Sequence, residues 1–118
     1  MLKKENRLKN KYAFTATYKV KNFHHKGGIT LNVGKKGNSE TPVKIGFVVS
    51  KKTHKRAVKR NRLKRLMRES VRLYLKDNND LDKYMSLIFT GHTGALGKSF
   101  KEINSSIIYL IREVTHAD

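Results

Sequence analysis

The chain has 118 residues, with 27 Lys or Arg against nine Asp or Glu and a formal charge of +18. That length suits one domain with a single small core, and that charge asks for a polyanionic partner, nucleic acid before an anionic membrane surface. With no cysteine present, disulfides, thiolate zinc sites and a cysteine nucleophile are excluded together.

The opening MLKKENRLKNKY is a basic arm over residues 1–9 and lacks the apolar stretch of a secretory signal. No apolar run approaches bilayer-spanning length, so cytoplasmic residence without a membrane partner is the default expectation. Asn10 is placed to cap a short helix reaching about Val20 or Lys21, with Leu8 as a hydrophobic staple. On that helix Phe14 and Tyr18 share a face. Two readings stay open for them: inward packing, or a platform on which bases stack. Phe23, His24 and His25 follow, and Gly27-Gly28 makes a break.

Ile29, Leu31 and Val33 alternate with Thr30 and Asn32, as do Val43, Ile45, Phe47 and Val49 with their neighbours. These patterns predict strands over 29–34 and 43–50, joined as an antiparallel hairpin across the polar turn Gly34 to Ser39. Gly34 and Gly37 also match the GxxG of a KH domain, but that loop joins two helices, and strands flank it here.

The most basic segment comes next. From Lys51 through Arg68 there are ten Lys or Arg and no acid. A helix is predicted over residues 55–76, ended by Asp77-Asn78-Asn79. Leu63, Leu66, Met67, Ser70 and Tyr74 form one stripe, while Asn61, Lys64, Arg65, Arg68 and Arg72 fall opposite. Arg60 falls near the stripe's edge. Solvated helix faces mix signs, and a one-signed face repels itself, which favours a polyanion bound along it.

Asp77, Asp80 and Asp82 lack the turn glycine and distal glutamate of a calcium loop. Tyr84 to Thr90 reads as a third strand buried on both faces. GHTGALGKS resembles a phosphate-binding loop, but its first glycine is Gly91 where the motif needs one at His92, and no further strand follows. Ser99 and Glu102 form a capping box, and Phe100, Ile103, Ile107, Leu110, Ile111 and Val114 make the last helix's apolar stripe. The histidines at 24, 25, 54, 92 and 116 show no metal-ligand spacing, and the sparse acids suggest no two-metal nuclease centre. Ser50 beside Lys51 suits a phosphate contact better than a nucleophile. No catalytic residue and no metal site is expected in the chain.

The run Lys59-Arg60-Asn61-Arg62-Leu63-Lys64-Arg65-Leu66-Met67-Arg68-Glu69 resembles the RNR signature of the bacterial ribonuclease P protein component. Asn6-Arg7-Leu8-Lys9 resembles the family's opening motif. Phe14 and Tyr18 fall where it carries an aromatic pair, and Val43 to Lys52 resembles its second strand running into a Ser-Lys-Lys turn. The resemblance covers nearly the whole chain. It implies a two-layer α/β (α+β) sandwich in the order α-β-β-α-β-α, the order periodicity also gives, with a left-handed crossover through the basic helix. It further implies one copy of the protein per catalytic RNA, with catalysis and Mg2+ in that RNA, and endonucleolytic removal of the 5′ leader of precursor tRNA.

On this resemblance Phe14, Tyr18, Ser50, Lys51 and Lys52 line a cleft for the single-stranded leader. Arg60, Asn61, Arg62, Lys64, Arg65 and Arg68 grip structured RNA. Two stretches depart from the pattern. Members often carry an aromatic on the open face of the first strand, where this chain offers Thr30 and Asn32. Thr53-His54-Lys55-Arg56 is more basic than the usual turn and adds candidate phosphate contacts. The rival readings are a ribosomal-type RNA-binding protein using the same helix and a nucleotide hydrolase using Lys98.

Overall fold

The computed structural model describes residues 2–37 and 41–117; Asn38 and Ser39 of the expected turn lie outside the described residues. Asn10 begins helix α1 (Lys11–Lys19) by accepting the Tyr12 N–H on its side-chain oxygen at 2.8 Å. The helix stops where Lys21 takes the left-handed φ of 58°. The chain then enters a strand that the apolar pattern does not announce, β1 (Asn22–Lys26).

It turns through Gly27-Gly28 and returns as β2 (Ile29–Val33), antiparallel to β1 with Phe23 opposite Asn32. Gly28 has φ 82°, and a Cβ there would stand 2.4 Å from the Ala95 backbone nitrogen, so only glycine fits. Strand β3 (Lys44–Val48), helix α2 (Ala57–Asp77), strand β4 (Ser86–Gly91) and helix α3 (Phe100–Ala117) complete the chain. The order α-β-β-α-β-α is present with β1 added ahead of its strands.

The sheet runs β1-β2-β4-β3, with β4 antiparallel to β2 and parallel to β3. The hairpin expected between 29–34 and 43–50 therefore does not form, because β4 lies between them. The reason is burial. Leu87, Ile88 and Phe89 are all fully buried, so β4 needs cover on both faces and neighbours on both edges. β2 and β3, which alternate, take the flanks.

Nor does Gly34 to Gly37 turn back. The Gly34 N–H donates to the Ser86 carbonyl and the Gly37 N–H to the Lys83 carbonyl, each at 2.8 Å, which prolongs β2 beside the approach to β4. The N-terminal segment is likewise docked instead of free. Leu2 is buried, the Asn6 side-chain amide donates to the Val43 carbonyl at 2.9 Å, and Arg7 bridges Ile45 in parallel. It covers the outer edge of β3, which would otherwise present unpaired backbone groups.

α2 and α3 pack on one sheet face and α1 on the other. Ile29, Leu31, Ile45, Leu87 and Phe89 meet Leu63, Met67, Ile103, Ile107, Leu110 and Ile111 in one hydrophobic cluster. The predicted stripe of α2 is confirmed at Leu63, Met67 and Ser70, with Val71 added to it. Leu66 and Tyr74 lie at its margin, and the Tyr74 hydroxyl donates to the Asp80 carboxylate.

Candidate nucleic-acid interface

Alternation places Phe23 and His25 of β1, Thr30 and Asn32 of β2, Thr90 of β4, and Gly46 and Val48 of β3 on the face opposite α2 and α3. α1, only nine residues long, covers part of that face. Its Thr17 hydroxyl bonds the Ser86 hydroxyl, and its Phe14 lies over Gly46. A Cβ on Gly46 would stand 2.6 Å from the Phe14 ring, so the glycine is what lets the ring sit on the sheet.

The two readings of the aromatic pair divide. Phe14 is half-buried against the sheet, whereas Tyr18 is 42% exposed. A groove opens beside Phe14, lined by Arg7, Lys9, Gly46, Phe47 and Arg68. The Arg68 guanidinium stands 5.8 Å from the centre of the Phe47 ring, inside cation–π range. The rest of the face is open, and Phe23 projects from it with 63% of its surface exposed.

The sequence pattern assigns Phe23 no role, and the expectation that the first strand offers Thr30 and Asn32 in place of an aromatic is corrected by its position on β1. The first strand is β1, not the strand carrying Thr30 and Asn32. The available signal was slight: one aromatic, Phe23, in a short polar run ahead of a double-glycine turn.

Ser50, Lys51 and Lys52 leave the end of β3 as an exposed turn, closed by the Thr53 N–H donating to the Ser50 carbonyl at 3.0 Å. That places Lys51 and Lys52 between the open face and the start of α2. Further along, His54 Nδ1 accepts the Arg56 N–H at 3.0 Å.

The six candidate residues of α2 fall into two groups. Arg60 reaches back to the carbonyls of His54 and Lys55 at 2.7 and 2.8 Å, which ties the helix to the loop ahead of it. Arg62 reaches the Lys98 carbonyl at 3.1 Å, across to the loop before α3. Both guanidiniums retain further N–H groups for a ligand, but their positions are set by these internal bonds.

Asn61 and Arg65 are exposed, with Lys64 and Arg68 half-buried around them. The one-signed run ends where Arg72 pairs with Glu69 at 2.6 Å; the guanidinium holds the Glu69 carboxyl below its usual range.

The glycine-rich loop after β4 has a structural occupation. His92 N–H donates to the Gly28 carbonyl at 2.8 Å, and the Lys98 ammonium donates to the Gly27 carbonyl at 3.1 Å. Through Arg62 and Lys98 the basic helix is thereby linked to the Gly27-Gly28 turn between β1 and β2. Among the described residues no group of three His, Asp or Glu stands close enough to hold a metal ion. No helix among them is long and apolar enough to cross a membrane.

Comparison with known proteins gives a consistent result. A family model described as Ribonuclease P matches residues 2–115. The ribonuclease P protein component of Clostridium kluyveri is 37% identical over 110 residues, covering 91% of this chain and 92% of that protein. The protein of the same description from Clostridium botulinum strain Loch Maree is 32% identical over 110 residues, 93% and 95% of the two chains. Among solved structures, the Staphylococcus aureus RNase P protein superposes with a TM-score of 0.77 at 22% identity, covering 94% of this chain and 96% of that one. It shares the fold.

Proposed function

The chain belongs to the ribonuclease P protein family, and from that premise we propose that it assists removal of the 5′ leader from precursor tRNA as the protein subunit of a catalytic RNA. The observation that carries the reading is the pairing of two surfaces on one small body. One is a sheet face that carries Phe23 and is bordered by α1, whose Phe14 ring lies on Gly46 and whose Tyr18 is exposed; the other is a helix face bearing Asn61, Lys64, Arg65 and Arg68. A flat aromatic face suits unstacked bases of a single strand, which stack with little regard to sequence. A one-signed helix face suits the dense phosphates of structured RNA.

On this reading the leader lies across the open face, held by stacking on the aromatics and by phosphate contacts from Ser50, Lys51 and Lys52. Asn61, Lys64, Arg65 and Arg68 dock the catalytic RNA. Arg60 and Arg62 aim that helix as well as contacting RNA. The protein's part in the reaction is positioning: it adds affinity for the precursor through the leader, which the mature product lacks.

The donor set of this face consists of imidazoles, hydroxyls, ammonium and guanidinium groups without a carboxylate. It does not fit a hard divalent cation, so no step is assigned to Mg2+ on this chain, and the ion is assigned to the RNA. One protein copy per RNA and a cytoplasmic setting belong to the same proposal.

The test is precursor cleavage by the catalytic RNA at low Mg2+, with and without this chain. Stimulation is expected, together with tighter binding of precursor than of mature tRNA. A chain that binds both tRNAs equally and stimulates nothing is instead a general RNA-binding protein of the ribosomal type. The affinity should also fall with salt, by a log–log slope of roughly −0.7 to −0.9 per phosphate neutralised.

A further inference from the structure

At the end of the open face away from α1, two histidines share one hydroxyl. His25 Nδ1 lies 3.0 Å from the Thr30 hydroxyl oxygen, which lies 2.9 Å from His92 Nε2. The ring centres are 5.8 Å apart and both rings are exposed. A hydroxyl has one hydrogen, so it donates to one imidazole and must accept from the other. Each ring keeps its second nitrogen, His25 Nε2 and His92 Nδ1, for an outside partner.

Protonating both rings changes this arrangement. Both imidazoliums then donate to the threonine oxygen, and its hydrogen is freed to point outward. The cluster becomes two cations with three outward donors, the complement of a phosphate group.

Among the described residues, the elements around the pair supply no internal counter-ion for that charge. β1, β2, β3, β4, α1 and the loop from His92 to Ser99 contain no Asp or Glu. The charged or titratable groups on those elements are cations or neutral. His24 and Lys26 alternate to the other sheet face, where the Lys26 ammonium sits 4.6 Å from the Tyr109 ring. Lys98 is held on the Gly27 carbonyl, and Lys44 donates to the Glu5 backbone carbonyl. α1 offers Lys11, Tyr12, Tyr18 and Lys19, and Lys21 follows it. Glu102, the acid nearest this loop in sequence, is held by Ser99. Two imidazoles placed side by side without a carboxylate gain protons most favourably when an anion arrives from outside.

We propose that His25, Thr30 and His92 form a proton-linked binding site for a phosphodiester of single-stranded RNA, adjacent to Phe23 on the same strand face. This rests on the leader-cleft reading above and extends it to a nucleotide beyond the stacked bases. The charged form of the pair binds a phosphodiester and the neutral form does not, so leader binding takes up protons and affinity rises as pH falls. A site linked to one proton changes affinity by up to about tenfold per pH unit.

The experiment uses the complex of this chain with its catalytic RNA. It measures affinity for a precursor tRNA with a long leader and for the same tRNA with a leader of about one nucleotide, near pH 6 and near pH 8. The ratio of the two affinities is the leader benefit. For the unaltered chain it should fall roughly tenfold from the lower to the higher pH. In the His25→Gln/His92→Gln double variant it should be flat, at the unaltered chain's value near pH 8. Thr30→Val should give an intermediate slope.

A double variant that keeps the original pH profile overturns the inference, as does a flat profile in the unaltered chain. So does a double variant that also loses the benefit near pH 8, since the loss would then not be proton-linked. A leader benefit absent from the unaltered chain at every pH would sink the leader-cleft reading as well. A benefit that is present but indifferent to the histidines sinks this inference alone.

Discussion

The two faces of the sheet are built from the same four strands and differ in nearly every other respect. On the side of α2 and α3, Ile29, Leu31, Ile45, Leu87 and Phe89 are closed off from solvent by the apolar stripes of two long helices. On the side of α1, nine helical residues cover only part of the face, leaving Phe23, His25 and Thr30 without an intramolecular cover. Hydrophobic burial contributes stability roughly in proportion to area, so the first face carries most of the folding free energy. The second leaves aromatic and polar groups in water, an arrangement that favours a ligand. Stability and recognition are thus separated across the two faces of one sheet.

The sharpest way to break this division is to damage each face and measure both properties. Phe89→Ala empties the centre of the packed face, where the ring also stacks on Phe47 with centroids 5.8 Å apart. It should destabilise by roughly 3–5 kcal/mol, measured by denaturant unfolding. A loss below about 1 kcal/mol would mean that the packed face is not the source of stability.

Gly46→Ala is the matching change on the open side. The new methyl meets the Phe14 ring at 2.6 Å and Leu8 Cδ2 at 3.3 Å, and overpacking of that kind costs about 1–3 kcal/mol. Displacing Phe14 should weaken precursor binding as well. A variant with normal binding would show that Phe14 does not shape the cleft.

The packed face was readable in the sequence because periodicity reports burial. The stripe through Leu63 and Met67, the apolar run of β4 and the capping box at Ser99 each lie where the pattern puts them. β1 escaped notice for the same reason. Phe23 and His25 face the open side, so no apolar alternation marks the strand, and Lys21 holds a positive φ that glycine or asparagine would have advertised.

Strand order was equally hidden. β2 and β3 have the right pattern for a hairpin, and only the greater burial demand of a strand nearly forty residues further on places β4 between them. Among the candidate site residues, charge and spacing located the basic helix. They could not tell that Arg60 and Arg62 hold carbonyls in the neighbouring loops while Asn61 and Arg65 remain outward, because that distinction depends on what packs around the helix ends.

Phe23→Ala sharpens the comparison from the side of recognition. The ring is mostly in solvent, so folding stability should change by no more than about 0.5 kcal/mol. Precursor binding should weaken by roughly 1–3 kcal/mol for one lost stacking partner, with mature tRNA binding unchanged. An equal loss for both tRNAs would remove the leader from the open face. Phe14→Ala should repeat the pattern with some loss of stability added, because that ring is half-buried.

The smallest expected effect lies at the start of α3, on the packed side. There the Ser99 hydroxyl accepts the Glu102 N–H at 3.2 Å, and the Glu102 carboxylate accepts the Ser99 N–H at 3.2 Å. The bonds from the Ser99 backbone and hydroxyl hold the Glu102 carboxyl below its usual range. A depressed carboxylate contributes stability above its unfolded pKa, about 4.3 for glutamate, and that contribution is lost as pH falls through the lower folded value.

Ser99→Ala should therefore cost about 1 kcal/mol at neutral pH, in line with other lost N-caps. Glu102→Gln should flatten the acid limb of the stability profile below about pH 4. Neither change should alter the leader benefit in the RNA complex, since the cap belongs to the helix that closes the core. A cap variant that changed leader binding while folding normally would show that the two faces communicate. The Lys98 ammonium on the Gly27 carbonyl, one residue before the cap, is the contact through which they would do so.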